Sequence, residues 1–382
     1  MRLRAWWVTL IAAAALGSAS CSPGDGGPAP APTAVGTPGM SGAATGSTTA
    51  APSAPAGGSV TSSPATTGSR QPVTIAFGGD VHFEGMLARR LADPGTAMGP
   101  LASRLAEADV SIVNLETAVT TRGAAEPKQF TFRAPPVVFR ALASAGIDVA
   151  TMANNHGLDY GPVSVPDALA AASDAHFPVI GIGADATQAY APWIATVKGQ
   201  RIAFLAATAV LDDELVTSWS AGPGKPGLAT ALNGKNAAIV AAVTAVRPQV
   251  DTVVVNLHYG TELTACPTAN QRRLAGDLVG AGADIVVGQH AHVLLGAGYY
   301  GSSYVDYGLG NFEFYATGGG VTSQTGVLSL TVDGRSVTNP QWFPGQLVGG
   351  LPTPLSGPAA AAAGQRWEAL RGCTGLSPTP TP

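Results

Sequence analysis

The 382-residue chain holds six histidines, and five of them (His82, His156, His258, His290 and His292) fall at or just past the end of a short apolar run. Imidazole nitrogens beside carboxylate and amide oxygens are the donor set of divalent transition metals such as Zn, Mn or Fe. In Asp80-Val81-His82 the backbone is expected to be extended, so both side chains point the same way and can grip one ion. His290-Ala291-His292 repeats that spacing with two imidazoles. Glu116, the pair Asn154-Asn155 ahead of His156, and His258 complete the candidate set. Taken singly, most have an ordinary explanation. Asp80-Val81-His82 reads as a turn, Glu116 as a solvated loop carboxylate, Asn154-Asn155 as a hydrogen-bonded turn and His258 as a satisfied strand-end histidine. Their recurrence at successive strand ends is what points to a metal centre. His176 precedes a run instead of following one and stays outside the set.

The elements that must position these residues are legible as alternation. Apolar runs at Val73–Phe77, Val110–Val113, Ile147–Met152, Val179–Ile182, Ile202–Ala207, Thr252–Leu257 and Ile285–Val287 read as strands buried on both faces. Ala-rich stretches at Met98–Ala108, Pro136–Ala145, Val165–Ala175, Lys235–Val246 and Ala269–Gly280 read as helices between them. Such alternation predicts an α/β fold with layered sheets. In open α/β sheets the ligand crevice lies outside the carboxyl ends of the strands, which gathers the candidates on one rim. Runs at Ser303–Asp306, Val327–Val332 and Gln341–Leu347 predict antiparallel additions, with a turn at Asp333-Gly334.

Composition sets the rest. Apolar residues make up 46% of the chain and charged ones 12%, with a net charge of −4. No basic stripe occurs, which argues against a nucleic-acid partner. Residues 1–21 read as an export signal: Arg2 and Arg4 precede the apolar run Ala5–Leu16, which is too short for a comfortable membrane span. Cys21 after Gly17-Ser18-Ala19-Ser20 resembles a lipoprotein cleavage site, although Ser18 stands where Leu is usual. The expected location is therefore the outer face of the cell membrane, held through a lipidated Cys21, with a secreted protein as the alternative. Residues 22–70 are almost entirely Pro, Ala, Gly, Ser and Thr and read as a disordered tether. The folded domain is expected over 71–350. Residues 351–382 read as a C-terminal segment with a short helix near Gln365–Arg371 and a disordered Pro-Thr tail. In an oxidising compartment the remaining Cys266 and Cys373 are expected to form a disulfide.

Six stretches carry a family resemblance: GGDVHFEG (78–85), VNLETAV (113–119), GIDVATMANNHGLDYG (146–161), VVVNLHYGTEL (253–263), GADIVVGQHAHV (282–293) and YGLGNFEF (307–314). Over roughly residues 73–350 the sequence resembles the CapA family of bacterial capsule (poly-γ-glutamate) synthesis proteins, which is similar to calcineurin-like metallophosphoesterases. The resemblance implies a four-layer αββα sandwich of the metallo-dependent phosphatase type, with two divalent metal ions at one edge. It implies Asp80, His82 and His292 as ligands of one ion and Asn155, His258 and His290 as ligands of the other. Glu116 occupies the place of a bridging Asp. His156 resembles the residue that protonates the leaving group or steadies the transition-state charge, and Asp159 is placed to orient its ring. The sequence departs from the phosphoesterase pattern in lacking Gly-Asp before the bridging residue, and Gln289 stands where many relatives have a third histidine.

Two classes of function follow. One is a metal-dependent hydrolase or transferase at the cell surface, acting on a phosphoester or on an amide of a polymer such as poly-γ-glutamate. The other is a non-enzymatic accessory lipoprotein that binds capsule polymer or its synthase complex, with structural metals. A surface hydrolase unrelated to capsule is a third reading, since a fold does not fix a function.

Overall fold

The computed structural model describes residues 70–232, 235–315 and 319–381; the expected export signal, Cys21 and positions 22–69 of the expected tether lie outside the described residues. The short apolar runs pair into two large sheets. In the first, β1 (Val73–Val81), β2 (Val110–Leu115), β3 (Val149–Thr151) and β4 (Val179–Ile180) lie parallel in that order. In the second, β5 (Trp193–Val197) pairs antiparallel with β6 (Gln200–Thr208), and β7 (Thr252–Tyr259) and β8 (Ile285–His290) follow β6 in parallel. β10 (Ser303–Asp306) lies beside β8, and β9 (Ala297–Tyr300) closes that edge. The chain then returns to the first sheet. β11 (Asn311–Glu313) pairs with the end of β1, while β12 (Gln324–Asp333), β13 (Ser336–Val348) and β14 (Leu351–Pro354) form an antiparallel meander on the other side of β1.

Side chains alternate across each strand, and three apolar cores follow from that alternation. Ile75, Phe77 and Ile112 of the first sheet meet Phe204, Val254 and Ile285 of the second. On the outer face of the first sheet, Ala76, Val113 and Ala150 pack against α1 (Val138–Ser144) and α2 (Ser164–Asp174). On the outer face of the second, Leu205, Val255 and Val286 pack against α3 (Ala237–Val246) and α4 (Ala269–Ala281). The layers run helix, sheet, sheet, helix, which is the αββα sandwich expected. Each fully buried aliphatic or aromatic side chain contributes roughly 1.5–3 kcal/mol. The carboxyl ends of β1, β2, β3, β7 and β8 share one edge of the sandwich, and the candidate ligands collect there.

Three local expectations needed correction. The helix expected over Met98–Ala108 is a 3-10 turn, Pro100–Ala102, followed by one helical turn, Ser103–Ala106. Pro100 has no N–H to donate, and the Gly99 N–H is committed to the buried carboxylate of Glu313 at 2.9 Å, so the helix cannot start earlier. Strand β5 was not expected. It is a half-buried edge strand whose pairing depends on a two-residue turn, Lys198 (φ 49°) and Gly199 (φ 76°). The C-terminal helix α5 (Gly357–Leu370) is longer than expected, and it stacks Trp367 on Trp342 of β13 with ring centroids 5.0 Å apart and planes 3° from parallel.

The expected disordered tail is instead paired with the body. Ser377 exchanges two backbone hydrogen bonds with Tyr299 (2.8 and 2.9 Å), and Arg371 Nε donates to the Ala297 carbonyl at 2.7 Å. The reason is a covalent hold: Cys266 and Cys373 form a disulfide with Cα atoms 5.8 Å apart, closing a loop across 107 positions. In the chain-entropy view a loop of that size contributes about 4–5 kcal/mol. Among the described residues, no helix is long and apolar enough to cross a membrane.

Candidate metal centre

Backbone geometry at the strand ends aims the side chains. The register between β1 and β2 shifts between Phe77 and Asp80, and the end of β1 runs so close to residue 310 that any Cβ on Gly79 would collide with the Gly310 carbonyl. The same approach lets the Asp80 N–H donate to that carbonyl at 2.9 Å. At the end of β8, His290 (φ 96°) and His292 (φ 55°) both occupy the left-handed region, which non-glycine residues rarely adopt. Two strained histidines in three residues mark a site whose geometry the surrounding structure enforces.

The donors fall into two overlapping groups. Asp80, Glu116 and His258 offer ligand atoms within 4.8 Å of one another, and so do Glu116, His290 and His292. Glu116 belongs to both. His258 Nε2 lies 3.4 Å from Glu116 Oε1 and 2.7 Å from Asn155 Oδ1, so Asn155 adjoins the first group. Two ligands of one ion at ~2.1 Å each sit about 3.0–3.4 Å apart, so this spacing suits a shared cation. The division differs from the one the resemblance implied: Asp80 groups with His258, and His292 with His290, although His292 Nδ1 stays 3.5 Å from Asp80 Oδ2.

His82 joins neither group. Its Nδ1 accepts the Glu84 N–H at 3.0 Å, its Nε2 lies 3.3 Å from the Tyr315 N–H, and its ring stacks on Phe132. A backbone donor and an aromatic cage of Phe132, Phe314 and Tyr315 surround this ring.

Electrostatics test whether a cation fits. Glu116 is fully buried and neither carboxylate oxygen has a hydrogen-bond partner. Burial, then the nearby Asp80, push its carboxyl well above the usual carboxylate range. A sealed, unpartnered carboxylate is costly unless a cation meets it. His290 Nδ1 is likewise buried without a partner, and burial followed by repulsion from His292 pushes this imidazole down to about 3, which keeps its lone pair available. Burial also disfavours charge on His292, but Glu116 and Asp80 outweigh it and raise the ring to about 9. Burial, then His290 and His292, hold His258 well below the ordinary value. Orphaned oxygen and nitrogen atoms around a shared carboxylate are the donor set of a divalent metal site.

His156 stands beside the groups. Asp159 Oδ2 lies 2.5 Å from its Nδ1, its Nε2 faces Glu116 Oε1 at 4.0 Å, and its ring stacks on Phe132. Asp159 is pinned in turn by the Phe132 N–H at 2.7 Å and by Lys128 Nζ at 2.8 Å. Asp159 therefore holds the Nδ1 side of the His156 ring. Burial lowers the pKa of this imidazole against the opposing pull of Asp159. A cleft of about 400 Å³ reaches the centre at Asn155 and His156; its wall carries Lys128 together with Asp212, Glu214 and Glu262.

Four contributors escaped the sequence reading. Asn114 donates to Asp80 Oδ1 at 2.8 Å, and Asn311 Oδ1 meets His292 Nδ1 at 2.8 Å. Asn114 stands in the apolar strand β2, where a buried amide needs a specific partner, and that signal was available; Asn311 opens the short strand β11, Asn-Phe-Glu, which carries no such contrast. Lys128 and Phe132 come from a polar loop with no periodicity, and nothing local marks them.

The family model described as "Bacterial capsule synthesis protein PGA_cap" matches residues 74–316, and the chain belongs to this family. It is 35% identical over 176 residues to the capsule biosynthesis protein CapA of Bacillus anthracis, covering 46% of this chain and 42% of that protein. It is 32% identical over 178 residues to the PGA biosynthesis protein CapA of Bacillus subtilis (strain 168), covering 46% and 44%. A Mycobacterium tuberculosis protein named "Probable polyglutamine synthesis accessory protein" is 29% identical over 233 residues, covering 59% of this chain and 61% of that one. The chain thus matches less than half the length of the two Bacillus proteins. Among solved structures, a hypothetical protein from Thermus thermophilus aligns with TM-score 0.45 and 18% identity, over 72% of this chain and 99% of that one. A Mycoplasma pneumoniae phosphatase aligns with TM-score 0.44 and 14% identity, over 72% and 94%.

Proposed function

We propose that this capsule-family chain is a metal-dependent hydrolase or transferase working in capsule polymer assembly at the outer face of the cell membrane, on a phosphoester or on an amide of a glutamate polymer. The observation that carries the reading is Glu116, a sealed carboxylate with two unpartnered oxygens between two sets of aspartate and histidine donors. Asp80, Glu116, Asn155, His258, His290 and His292 would hold two divalent ions, with Zn, Mn and Fe all suited to these donors. Such a pair supplies the charge that activates water and steadies a developing oxyanion.

The chain's own residues do the rest. Asp159 holds Nδ1 of His156, so the ring can take or hand over a proton only at Nε2, on the side of Glu116. Phe132 stacks on that ring and excludes water from its face. The cleft wall favours the phosphoester over a polyanionic polymer, because Asp212, Glu214 and Glu262 oppose one lysine that is already engaged by Asp159.

The test is metal content per chain for the purified protein, followed by turnover of a generic phosphodiester and of poly-γ-glutamate, with His156→Ala beside the wild type. Near-zero metal under Zn- or Mn-replete conditions would remove the reading. Two metals with no turnover on either substrate would favour the accessory role that the mycobacterial relative's name describes.

A further inference from the structure

The loop over residues 260–268 joins the end of β7 to the start of α4. Every side chain of residues 261–266 is exposed, so little apolar burial holds this loop in place. Leu263 is 65% exposed and takes φ 58°, a left-handed conformation that a residue of its type keeps only where its surroundings impose it. Its N–H donates to the Ala291 carbonyl at 2.9 Å. That carbonyl belongs to the peptide that precedes His292, so the bond fixes the plane from which His292 takes its own φ of 55°. Of the six non-glycine residues with positive φ among the described residues, Leu263, His290 and His292 are three. One hydrogen bond joins the two segments that carry them.

Something other than side-chain packing must then hold Leu263. Shortly after it in the chain, Cys266 is bonded to Cys373. The far end of that bridge is seated on the segment just beyond His292. Arg371 Nε donates to the Ala297 carbonyl at 2.7 Å, and any Cβ on Gly296 would collide with the Leu370 carbonyl. Arg272 of α4 donates to the Cys373 and Thr374 carbonyls as well. A closed circuit results. It runs from Ala291 through Leu263 and the disulfide to Arg371, and back through Ala297 to His292. Without the bridge, a loop with so few buried contacts would open locally at little cost in free energy.

We propose that Leu263 is a positioning residue for the metal centre, held to that task by the Cys266–Cys373 disulfide. Its N–H keeps the Ala291–His292 peptide in the turn that gathers His290 and His292 with Glu116. The side chain of Leu263 has no part in this; the backbone donor and its left-handed conformation do the positioning. The bridge therefore does more than retain the tail, because the affinity of the edge for a cation depends on whether the bridge is formed. The inference rests on these residues being a metal site and is independent of which reaction the site performs.

The test is Zn²⁺ affinity, measured by competition with a chromophoric chelator, for the wild type and for the double variant Cys266→Ala with Cys373→Ala. The double variant should bind about fivefold more weakly, the equivalent of one hydrogen bond. Unchanged affinity overturns the proposal. Leu263→Pro removes the N–H and forbids φ 58° while keeping the disulfide, so it should weaken binding to the same degree. Wild-type affinity in that variant also overturns it. Adding Leu263→Pro to the double variant should weaken binding no further, whereas additive losses would show that the bridge acts elsewhere and count against the proposal. Ser377→Pro is the control for general loosening. It breaks the pairing of the tail with Tyr299 and leaves the bridge, so stability should fall with Zn²⁺ affinity unchanged. A loss of affinity as large as that of the double variant would make the effect general and defeat the proposal. Hydrogen exchange supplies a readout without metal: the Leu263 amide should be protected in the wild type and lose protection in the double variant, and retained protection overturns the proposal. A wild type that takes up no Zn²⁺ defeats the metal reading and this inference together. One that takes it up with an affinity indifferent to the bridge defeats only the inference.

Discussion

A carboxylate sealed from water with neither oxygen bonded destabilises the protein that carries it, and Glu116 is in that position. Above about pH 9, where His292 is no longer charged, Glu116→Gln should therefore raise the stability of the metal-free protein by about 1–3 kcal/mol while reducing the stabilisation gained on adding Zn²⁺. Denaturant unfolding with and without chelator measures both, and a less stable metal-free variant would contradict the burial reading. His292 gives a pH signature. Its folded-state value is raised to about 9 by Glu116 and Asp80 against burial, so its contribution is complete below an ordinary imidazole value and is lost as pH rises through 9. Metal-free wild type should lose up to about 3 kcal/mol between pH 6.5 and 9, and His292→Ala should flatten that slope. At this scale the sequence was informative about donors and silent about their supports. Donor types at strand ends are a local pattern, whereas the amide that fixes each ring comes from a different strand, as Asn114 does for His258. The extended Asp80-Val81-His82 segment puts both residues on β1 or its end, where the Glu84 N–H and the Phe132 ring hold the imidazole of His82.

The strand ends are where elements become a site. β1 delivers Asp80 only because Gly79 lets it run against residue 310, so Gly79→Ala should cost about 1–3 kcal/mol and lower metal occupancy together. Loss of stability with unchanged occupancy would show that the approach of the two strands is not what aims Asp80. Most buried strands and four of the helices were legible, because a strand covered on both faces is a nearly continuous apolar run. The misses share a cause. β5 is an edge strand whose residues are half-exposed, and the segment after Met98 is governed by Pro100 and by a hydrogen bond from Gly99 to Glu313, more than two hundred positions away. Tertiary partners of that kind leave no periodicity.

At the level of the whole molecule, the second sheet and the C-terminal segment are joined by one covalent link. Cys266 lies between β7 and α4, and Cys373 follows α5, so the bridge carries the tail back to the edge strand β9. Reducing it should lower stability by up to about 4–5 kcal/mol and expose the Tyr299 and Ser377 amides to hydrogen exchange. Retained protection at Tyr299 after reduction would show that the backbone pairing alone holds the tail. The pairing of the cysteines was legible from their number once an oxidising compartment was expected. The order of the tail was not, since Pro, Thr and Ser read as disorder wherever no partner is known.

The stacked Trp342 and Trp367 give this architecture an optical property. Two indoles 5.0 Å apart and within 3° of parallel are close enough for their excited states to couple. One ring belongs to the meander of the first sheet and the other to the last helix, so the coupled near-ultraviolet signal exists only while that helix is seated. Undocking of the C-terminal helix can therefore be followed in unlabelled protein, separately from events at the metal edge.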